Sequence, residues 1–386
     1  MKNFWKKFNS PPHQRKKNNT STKKVSFWCG GEPILALAPM AGITDSAFRQ
    51  ISKKYGSDVT YSEMASATAL FHKPAKTLKL VKYNKAERPY VVQLFGNNPE
   101  HFAKATKIIS QIVKPDGIDI NFGCPAKKVF GHGSGCALMA DVKLAREIIS
   151  AVCENTNLPV SIKIRAGIQL KQTSKVCYNR PWRSAVAATI SALEFIKKTK
   201  DLPYSAVMIH GRTYEGSFSG PVDFSICEKI KIIIPEKIVL GNGGINSAEQ
   251  AVEILKHYPL LDGIGIARGA WGRPFIFNEI KNLLQYPSLL SKERPARPAG
   301  GCPKETERFD QYDFPKIKKI MIEHAKMIYK DKKELGMFEI RKHLCWYIKG
   351  FPGAADLRKK LVLAKSVEEI AVILRTAPKP DKESTK

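Results

Sequence analysis

Short apolar runs alternate with amphipathic stretches along most of the chain. Each run is rich in β-branched residues, ends in a turn of glycine or polar residues, and precedes a stretch of helical periodicity, such as Glu100–Val113, Asp141–Cys153, Ala185–Lys198 and Ser247–His257. The apolar runs are Ile34–Pro39, Val59–Met64, Tyr90–Gly96, Gly117–Gly123, Pro159–Gly167, Ala206–Arg212, Lys237–Gly243 and Gly263–Gly269. Eight strands alternating with helices predict an α/β protein with a closed (β/α)8 TIM barrel.

A doubly wound open sheet is the alternative arrangement of alternating strands and helices. Its nucleotide-binding form carries a G-x-G-x-x-G turn after the first strand. Here the first apolar run ends instead on Pro39-Met40-Ala41-Gly42. The sequence therefore favours the closed barrel.

The alternation stops near residue 287, which predicts several domains. Residues 287–313 are rich in Pro, Gly and mixed charges and predict a linker. Residues 314–376 predict a small all-helical C-terminal domain, because apolar residues recur there at helical spacing, as in Ile317, Ile320, Met321, Ala325 and Ile328. We place the barrel at 31–286 and expect the basic arm 1–30 and the polar tail 377–386 to be disordered.

Charge narrows the class of partner. Lys and Arg number 64 against 35 acidic residues, a formal net charge of +29, and subtracting the +8 of the first 30 residues leaves +21 on the rest. An excess of this size predicts attraction to polyanions, of which nucleic acid and anionic membrane are the obvious examples.

Several other classes of protein are disfavoured. The sequence holds no 18-residue apolar run and no signal-peptide core, although the basic N-terminus leaves an organellar transit peptide open. The eight cysteines are scattered and form no C-x-x-C pair. We expect free thiols, no metal site and a cytoplasmic protein.

Polar and charged residues lie at the ends of the predicted strands. In a TIM barrel the active site forms at the carboxyl ends of the strands. The predicted ends carry Glu63, Gln93, Asn121 to Pro125, Lys163, Arg165, His210 to Arg212, Asn242 to Gly244 and Ala267 to Gly269. Gly243, Gly244 and Arg268 follow the last two strands, where barrels commonly bind phosphate, although such glycines also make ordinary tight turns. So many polar strand ends on one face predict a ligand site.

Three side chains at these strand ends are candidates for a role in binding or catalysis. Lys163 would point into the barrel mouth and needs an anionic ligand or an ion pair, for which Glu63 is a candidate. His210 is equally compatible with a hydrogen-bonded core histidine. Cys124 lies in a Gly-Cys-Pro turn followed by Lys127 and Lys128, and nearby cations would make its proton available near neutral pH. It is therefore a candidate proton donor or nucleophile, although a free cysteine is more often a small buried apolar residue.

Taken together, the strand ends resemble the tRNA-dihydrouridine synthase family, most nearly its bacterial DusB branch. The resemblance covers about residues 33–376. It is carried by APMAGITDSAFR (38–49), EMASA (63–67), VQLFG (92–96), DINFGCPAKKV (119–129), IKIRAG (162–167), IHGRT (209–213), GNGGI (241–245), ARGAWGRPFIF (267–277) and IRKHLCWYIKG (340–350). The turn Asn242-Gly243-Gly244 and the pair Ala267-Arg268 depart slightly from the usual pattern of the family.

The resemblance implies a function and a role for each site residue. It implies reduction of uridine in tRNA, with FMN as cofactor, NADPH as reductant and Cys124 as the general acid. Contacts to FMN would come from Pro39, Met40, Ala41, Gln93, Lys163, His210, Asn242, Gly243, Gly244, Ala267 and Arg268.

RNA contacts are expected on the basic surface. The stretch Ile168–Ala185 has basic residues interleaved with Tyr178 and Trp182, which suits RNA as well as it suits a solvated loop. Candidate contacts are Lys127, Lys128, Arg165, Arg180, Arg183, Arg212, Arg341 and Lys342. We expect no membrane or DNA partner and a monomer, although the sequence does not determine the oligomeric state.

Three alternative functions stay open at this point. The same chemistry on ribosomal RNA is the first. An FMN-dependent dehydrogenase of free pyrimidines is the second, but it needs neither the basic helical domain nor the charge of +29. A non-catalytic RNA-binding protein is the third. It is disfavoured because every expected active-site position at the strand ends carries a residue suited to the reaction.

Overall fold

A computed structural model describes residues 4–7, 32–169, 189–286, 313–349 and 353–377. Parallel strands close into a barrel in the order β1, β2, β4, β5, β6, β8, β9, β10 and back to β1. The strands are β1 Ile34–Leu37, β2 Val59–Tyr61, β3 Ala65–Ser66, β4 Tyr90–Phe95, β5 Gly117–Phe122, β6 Val160–Gln169, β7 Thr189–Ser191, β8 Ala206–Thr213, β9 Ile238–Asn242 and β10 Gly263–Ile266. The predicted (β/α)8 barrel is confirmed, and each of its eight strands falls within or overlaps a predicted run.

Two short strands lie outside the closed barrel. Strand β3 pairs with β4 in parallel, and β7 pairs with β6 in antiparallel orientation. Residues 170–188 between β6 and β7 lie outside the described residues, and with them Tyr178 and Trp182 of the predicted RNA loop.

Helices follow the barrel strands, and several of them begin at a residue whose side chain caps the helix. Asp45 accepts a hydrogen bond from the Phe48 N–H at the start of the first helix, and Asn98, Asp141 and Ser247 cap later ones in the same way. In the described part of the first unit, the α-helices are α1 Ser46–Lys54, α2 Ala67–His72, α3 Pro74–Leu80, α4 Pro99–Ile108, α5 Lys127–Gly131, α6 Ala137–Ala140, α7 Val142–Glu154, α8 Ala192–Lys197, α9 Ser225–Ile233 and α10 Ala248–His257. A π-helix, Ile109–Val113, extends α4.

Aromatic residues from the N-terminus close the floor of the barrel. Phe4–Lys7 forms a 3-10 helix in which the rings of Phe4 and Trp5 are buried with centroids 4.5 Å apart. They belong to the core cluster that includes Ile34 and Ile238, residues that begin β1 and β9. A side chain at Gly117, where β5 begins, would meet the Phe4 ring at 3.1 Å. Phe4 and Trp5 therefore lie against the amino ends of the strands.

Residues 4–7 lie within the predicted disordered arm 1–30, and for these four residues the prediction is wrong, because they form a helix. That prediction rested on the basic residues and gave no weight to two large aromatic side chains, whose burial is favourable. Residues 8–31 lie outside the described residues.

The contacts divide the chain into two units, Met1–Ala267 and Arg268–Lys386. Among its described residues, the second unit has two 3-10 helices, Arg268–Ala270 and Lys333–Gly336, and five α-helices: α11 Ile276–Gln285, α12 Phe314–Lys332, α13 Met337–Tyr347, α14 Ala354–Leu363 and α15 Val367–Thr376. The predicted apolar stripe from Ile317 to Ile328 is buried in it. Residues 287–312 and 378–386 lie outside the described residues, so the linker, the tail and the boundary at 286 stay predictions.

The described cysteines are unpaired by disulfides, as the sequence predicts. Cys124, Cys136, Cys153, Cys227 and Cys345 are free thiols. Within the described ranges, no helix is long and apolar enough to cross a membrane.

Candidate active site

The carboxyl ends of the barrel strands bring the predicted catalytic cysteine and several predicted cofactor contacts to one face. Cys124 follows β5, Gln93 lies on β4, and Lys163 lies on β6. Asn121 on β5 is in register with Lys163, and His210 on β8 is in register with Asn242 on β9. These side chains therefore belong to neighbouring strands of one closed sheet.

Cys124 lies in a turn that is held on both sides. The side-chain oxygen of Asn121 accepts hydrogen bonds from the N–H groups of Gly123 at 3.1 Å and of Cys124 at 2.9 Å. The Cys136 N–H donates to the Cys124 carbonyl at 3.1 Å. Gly135 has a φ of +63°, and a Cβ there would lie 2.8 Å from that carbonyl oxygen. Only glycine fits at this position, which leaves the thiol fixed at the barrel mouth.

Burial raises the pKa of the Cys124 thiol, which corrects one step of the sequence argument. Desolvation is the main cause, and Arg165 and Lys163 offset it only in part. The adjacent Lys127 and Lys128 are exposed on α5. The thiol therefore keeps its proton at neutral pH, which suits a proton donor and not a nucleophile.

A buried carboxylate lies beneath the site, inside a strand and not at its end, so the pattern of strand-end residues does not indicate it. Asp119 on β5 is fully buried and accepts hydrogen bonds from Ser161 Oγ at 2.6 Å and from Gln93 Nε2 at 2.7 Å. Burial raises its pKa to about 7, although Ser161, Gln93 and Lys163 act in the opposite direction. An aspartate inside an apolar β-strand was the signal available in the sequence.

Lys163 lies in the interior of the barrel mouth. Its ammonium donates to the Asn242 side-chain oxygen at 3.1 Å, and Asn242 Nδ2 donates to the Gly265 carbonyl at 2.7 Å. The alternative partner, Glu63, accepts a hydrogen bond from the Gly42 N–H. Burial lowers the pKa of Lys163 to about 8. A partly desolvated cation here favours an anionic ligand.

His210 and the loop after β9 form a tight cradle. Gly243 has a φ of +109°, and a Cβ there would lie 2.3 Å from the His210 ring. Gly244, with a φ of +69°, follows it, and a Cβ there would lie 2.9 Å from Val222. The chain can pass this close to the imidazole only because residue 243 is glycine, and the next glycine lets it pass equally close to Val222.

The loop after β1 carries three more of the residues that are predicted to contact FMN at the barrel mouth. Pro39 and Met40 are half-buried, and Ala41 is exposed. The Met40 N–H donates to Thr44 Oγ1 at 3.1 Å. Ala267 comes directly after β10, and Arg268 begins the 3-10 helix of the second unit.

The predicted RNA-contacting residues differ in their exposure. Arg165 is buried, and its guanidinium donates to the carbonyls of Gly123 at 2.9 Å and of Thr213 and Ser217 at 2.8 Å. It therefore supports the loops around the mouth and is not a surface arginine. Arg212 is half-buried and donates to the Gly220 carbonyl.

The other predicted RNA contacts lie elsewhere on the chain. In the second unit, Arg341 donates to the Ala364 carbonyl at 2.7 Å and lies over the exposed Phe338 ring, and Lys342 Nζ lies 5.9 Å from the Trp346 ring centroid. Arg180 and Arg183 lie outside the described residues.

Comparison with known proteins agrees with the motifs at the strand ends. The Dihydrouridine synthase (Dus) family matches residues 36–379. A probable tRNA-dihydrouridine synthase 1 of Synechocystis is 31% identical over 337 residues, which cover 86% of this chain and 82% of that protein. The tRNA-dihydrouridine synthase B of Pseudomonas aeruginosa is 31% identical over 331 residues, which cover 84% of this chain and 86% of that protein. Among solved structures, histamine dehydrogenase from Rhizobium sp. 4-9 has a TM-score of 0.48 at 16% identity, over 64% of this chain and 45% of that one.

The fold and the site thus define a (β/α)8-barrel enzyme of the flavin-dependent oxidoreductase class. The chain belongs to the dihydrouridine synthase family, because the family match extends over most of its length. Its similarity to the DusB relatives confirms the branch expected from the sequence.

Proposed function

We propose that this protein reduces the C5–C6 double bond of uridine in transfer RNA, with FMN as cofactor and NADPH as reductant. The observation that carries the proposal is the position of Cys124, a protonated thiol at a barrel mouth that also holds Gln93 and Lys163. The names of the relatives support tRNA as the substrate. A cytoplasmic location belongs to the same proposal.

The described residues fit a flavin with a phosphate group. Gly243 and Gly244 pack against His210 and Val222, where any Cβ would clash. Two consecutive glycines also leave their main-chain N–H groups uncovered by side chains, so these groups can approach an anion. Lys163 provides a half-buried positive charge. The Gln93 amide is buried, and because its nitrogen already donates to Asp119 and its oxygen already accepts from Asn121, its second N–H is the donor that it can offer a flavin. Pro39, Met40, Ala41, His210, Asn242, Ala267 and Arg268 complete the proposed FMN contacts.

A bound flavin would supply the hydride for C6 of the uracil ring. Hydride addition leaves negative charge over C5 and O4, and Cys124 removes it by donating its proton to C5. The hydrogen bonds from Asn121 to the turn hold the thiol in place for this step. The positive charge of Lys163 stabilises the negative charge that would accompany reduction of the cofactor.

RNA must present an unstacked base to the barrel mouth. The net charge of +29 provides a long-range attraction to the phosphate backbone. Lys127 and Lys128, which are exposed on α5 three and four residues after Cys124, are the proposed phosphate contacts nearest to it in the chain. Arg341 and Lys342 are proposed contacts of the second unit.

Nucleoside mass spectrometry of fractionated RNA tests the proposal. Transfer RNA and ribosomal RNA from cells with and without the gene would be digested and compared. We expect a dihydrouridine to be lost from one tRNA position and restored by the wild-type gene. Loss from ribosomal RNA alone would identify the other substrate. Turnover of free pyrimidine by the purified protein, with no change in either RNA, would instead favour the dehydrogenase.

A further inference from the structure

A chain of hydrogen bonds connects Asp119 to the turn that holds Cys124. Gln93 Nε2 donates to Asp119 Oδ2 at 2.7 Å, and Asn121 Nδ2 donates to Gln93 Oε1 at 2.9 Å. Asn121 Oδ1 then accepts from the N–H of Cys124 at 2.9 Å. Two side-chain amides thus lie between a carboxylate and a main-chain donor.

The two ends of this chain determine the orientation of both amides. An ionised carboxylate only accepts hydrogen bonds, and a main-chain N–H only donates them. Gln93 must therefore turn its nitrogen towards Asp119, and Asn121 must turn its oxygen towards Cys124. If Gln93 were flipped, its oxygen would face the Asp119 carboxylate and its nitrogen would face the Asn121 donor.

Asp119 also acts on Lys163 through its charge. Its carboxylate favours the charged form of Lys163, and the lysine in turn favours the ionised form of Asp119. Asp119 is fully buried and Lys163 is half-buried, so their charges interact more strongly than they would in water. Asp119 therefore reduces the net positive potential that Lys163 alone would create at the floor of the mouth.

We propose that Asp119 is a positioning residue that fixes the Gln93 amide and lowers the reduction potential of the bound flavin. This inference rests on the proposed function. A lone Lys163 would stabilise the negative charge of the reduced cofactor and make it a weaker hydride donor to uridine. The Asp119 carboxylate opposes that effect, so the hydride is passed on more readily.

The Asp119→Asn variant separates charge from hydrogen bonding. The asparagine oxygen can still accept from Gln93, while the Ser161 hydroxyl can rotate to accept from the asparagine nitrogen. Asp119→Ala removes both the charge and the acceptor. Asp58→Asn is the matched control, because Asp58 accepts from the Leu35 N–H at 2.9 Å at the amino end of β2, on the opposite side of the barrel.

The measurements are the dissociation constants of oxidised and reduced FMN and the rates of the two half-reactions. They are made at a pH between the pKa of Asp119, about 7, and that of Lys163, about 8, where the carboxylate is mostly ionised and the lysine mostly charged. For Asp119→Asn we expect the dissociation constant of oxidised FMN, divided by that of reduced FMN, to rise about tenfold. This change corresponds to a rise of about 30 mV in the reduction potential of the bound flavin, for a two-electron couple. Reduction by NADPH should become faster and reoxidation by RNA slower. Asp119→Ala should in addition bind both forms more weakly.

A purely structural role predicts a different pattern. It would weaken both redox forms equally, slow both half-reactions and leave the reduction potential unchanged. That result in Asp119→Asn, or the same shift of the potential in Asp58→Asn, would overturn the inference. If the wild-type protein binds no FMN, the proposed function itself fails, and the two failures are thereby distinguished.

Discussion

The ammonium of Lys163 on β6 donates a hydrogen bond of 3.1 Å to the side-chain oxygen of Asn242 on β9. The two residues lie on strands separated by β8, so the bond spans the interior of the barrel mouth. Asn242 is anchored in turn to the Gly265 carbonyl of β10. One lysine thus connects elements of the site that are far apart in sequence.

Binding of FMN should depend on the protonation of Lys163. Burial lowers its pKa to about 8, so its positive charge is present below that pH and is lost above it. We expect FMN affinity to fall as the pH rises through about 8. Lys163→Met should reduce affinity by about tenfold or more and remove this pH dependence. Fluorescence titration of FMN at several pH values measures both effects.

Lys237→Met is the matched control for this prediction. Lys237 is also a buried lysine, but it donates to the carbonyls of Leu202 and Tyr204 at the opposite end of the barrel. The control should lose stability and keep the pH dependence of FMN binding. An unchanged pH dependence in Lys163→Met would contradict the assignment.

Cys124→Ala should keep the cofactor and lose the reaction with RNA. The thiol donates a proton and makes no predicted contact to the phosphate of FMN, so FMN binding and reduction by NADPH should stay near wild type. Reoxidation by RNA should slow by at least about 100-fold. Stopped-flow absorbance of the flavin separates the two steps, with Cys153→Ala as the control, since Cys153 is a half-buried thiol on α7. Full activity of Cys124→Ala would show that another group is the general acid, and His210 would be the next candidate.

The burial of Asp119 should be visible in the pH dependence of stability. Its pKa is about 7 in the folded protein against an ordinary value of 3.8, so the folded state holds the proton more tightly than the unfolded state. The contribution of Asp119 to stability is therefore present below about pH 4 and is lost as the pH rises to about 7. The loss amounts to at most about 4 kcal/mol.

Asp119→Asn isolates this effect. The difference in unfolding free energy between wild type and the variant, measured by urea denaturation, should move in favour of the variant as the pH rises through that range. A difference that is independent of pH would show that Asp119 has an ordinary pKa in the folded protein.

Trp5→Ala should destabilise the barrel by about 3–5 kcal/mol, because it leaves a cavity at the floor. Trp5 is 2% exposed. Ile232→Ala, at a position that is 67% exposed, is the control and should change stability by less than about 0.5 kcal/mol. Denaturation followed by circular dichroism measures both. Equal stabilities of the two variants would mean that the N-terminal helix does not support the barrel.

RNA affinity should fall steeply with salt, because most contacts are to phosphate. We expect a loss of about 1,000-fold or more between about 50 and about 200 mM monovalent salt. Replacing Lys127 and Lys128 by Gln should reduce the slope of log affinity against log salt by about two. Filter binding with tRNA measures the slope. A salt-independent affinity would rule out a phosphate-dominated interface.

The sequence predicted the barrel well because its strands are bounded by clear turn residues. Ends such as Asn121 to Pro125 and Asn242 to Gly244 follow continuous apolar runs, and parallel strands bring their carboxyl ends to one face. The residues of the candidate site are therefore predictable from the strand ends alone, without any interatomic distance.

Features that depend on three-dimensional proximity were not predicted. The hydrogen bond between Lys163 and Asn242 joins residues 79 positions apart, and no local pattern indicates it. Lys127 and Lys128 are near Cys124 in sequence, yet desolvation by the surrounding fold is the main influence on the thiol. Phe4 and Trp5 were overlooked because the residues around them are basic.

The aromatic floor also bears on the order in which the chain folds during synthesis. Phe4 and Trp5 leave the ribosome long before Ile238 and Leu240, with which they share a core cluster. Domains fold from the N-terminus as they are made, but contacts of large sequence separation form late. The rings of Phe4 and Trp5 must therefore stay exposed until β9, which holds Ile238 and Leu240, has been synthesised. A slowly translating ribosome would lengthen that wait, and a chaperone that covers aromatic residues near the N-terminus would protect the nascent chain during it.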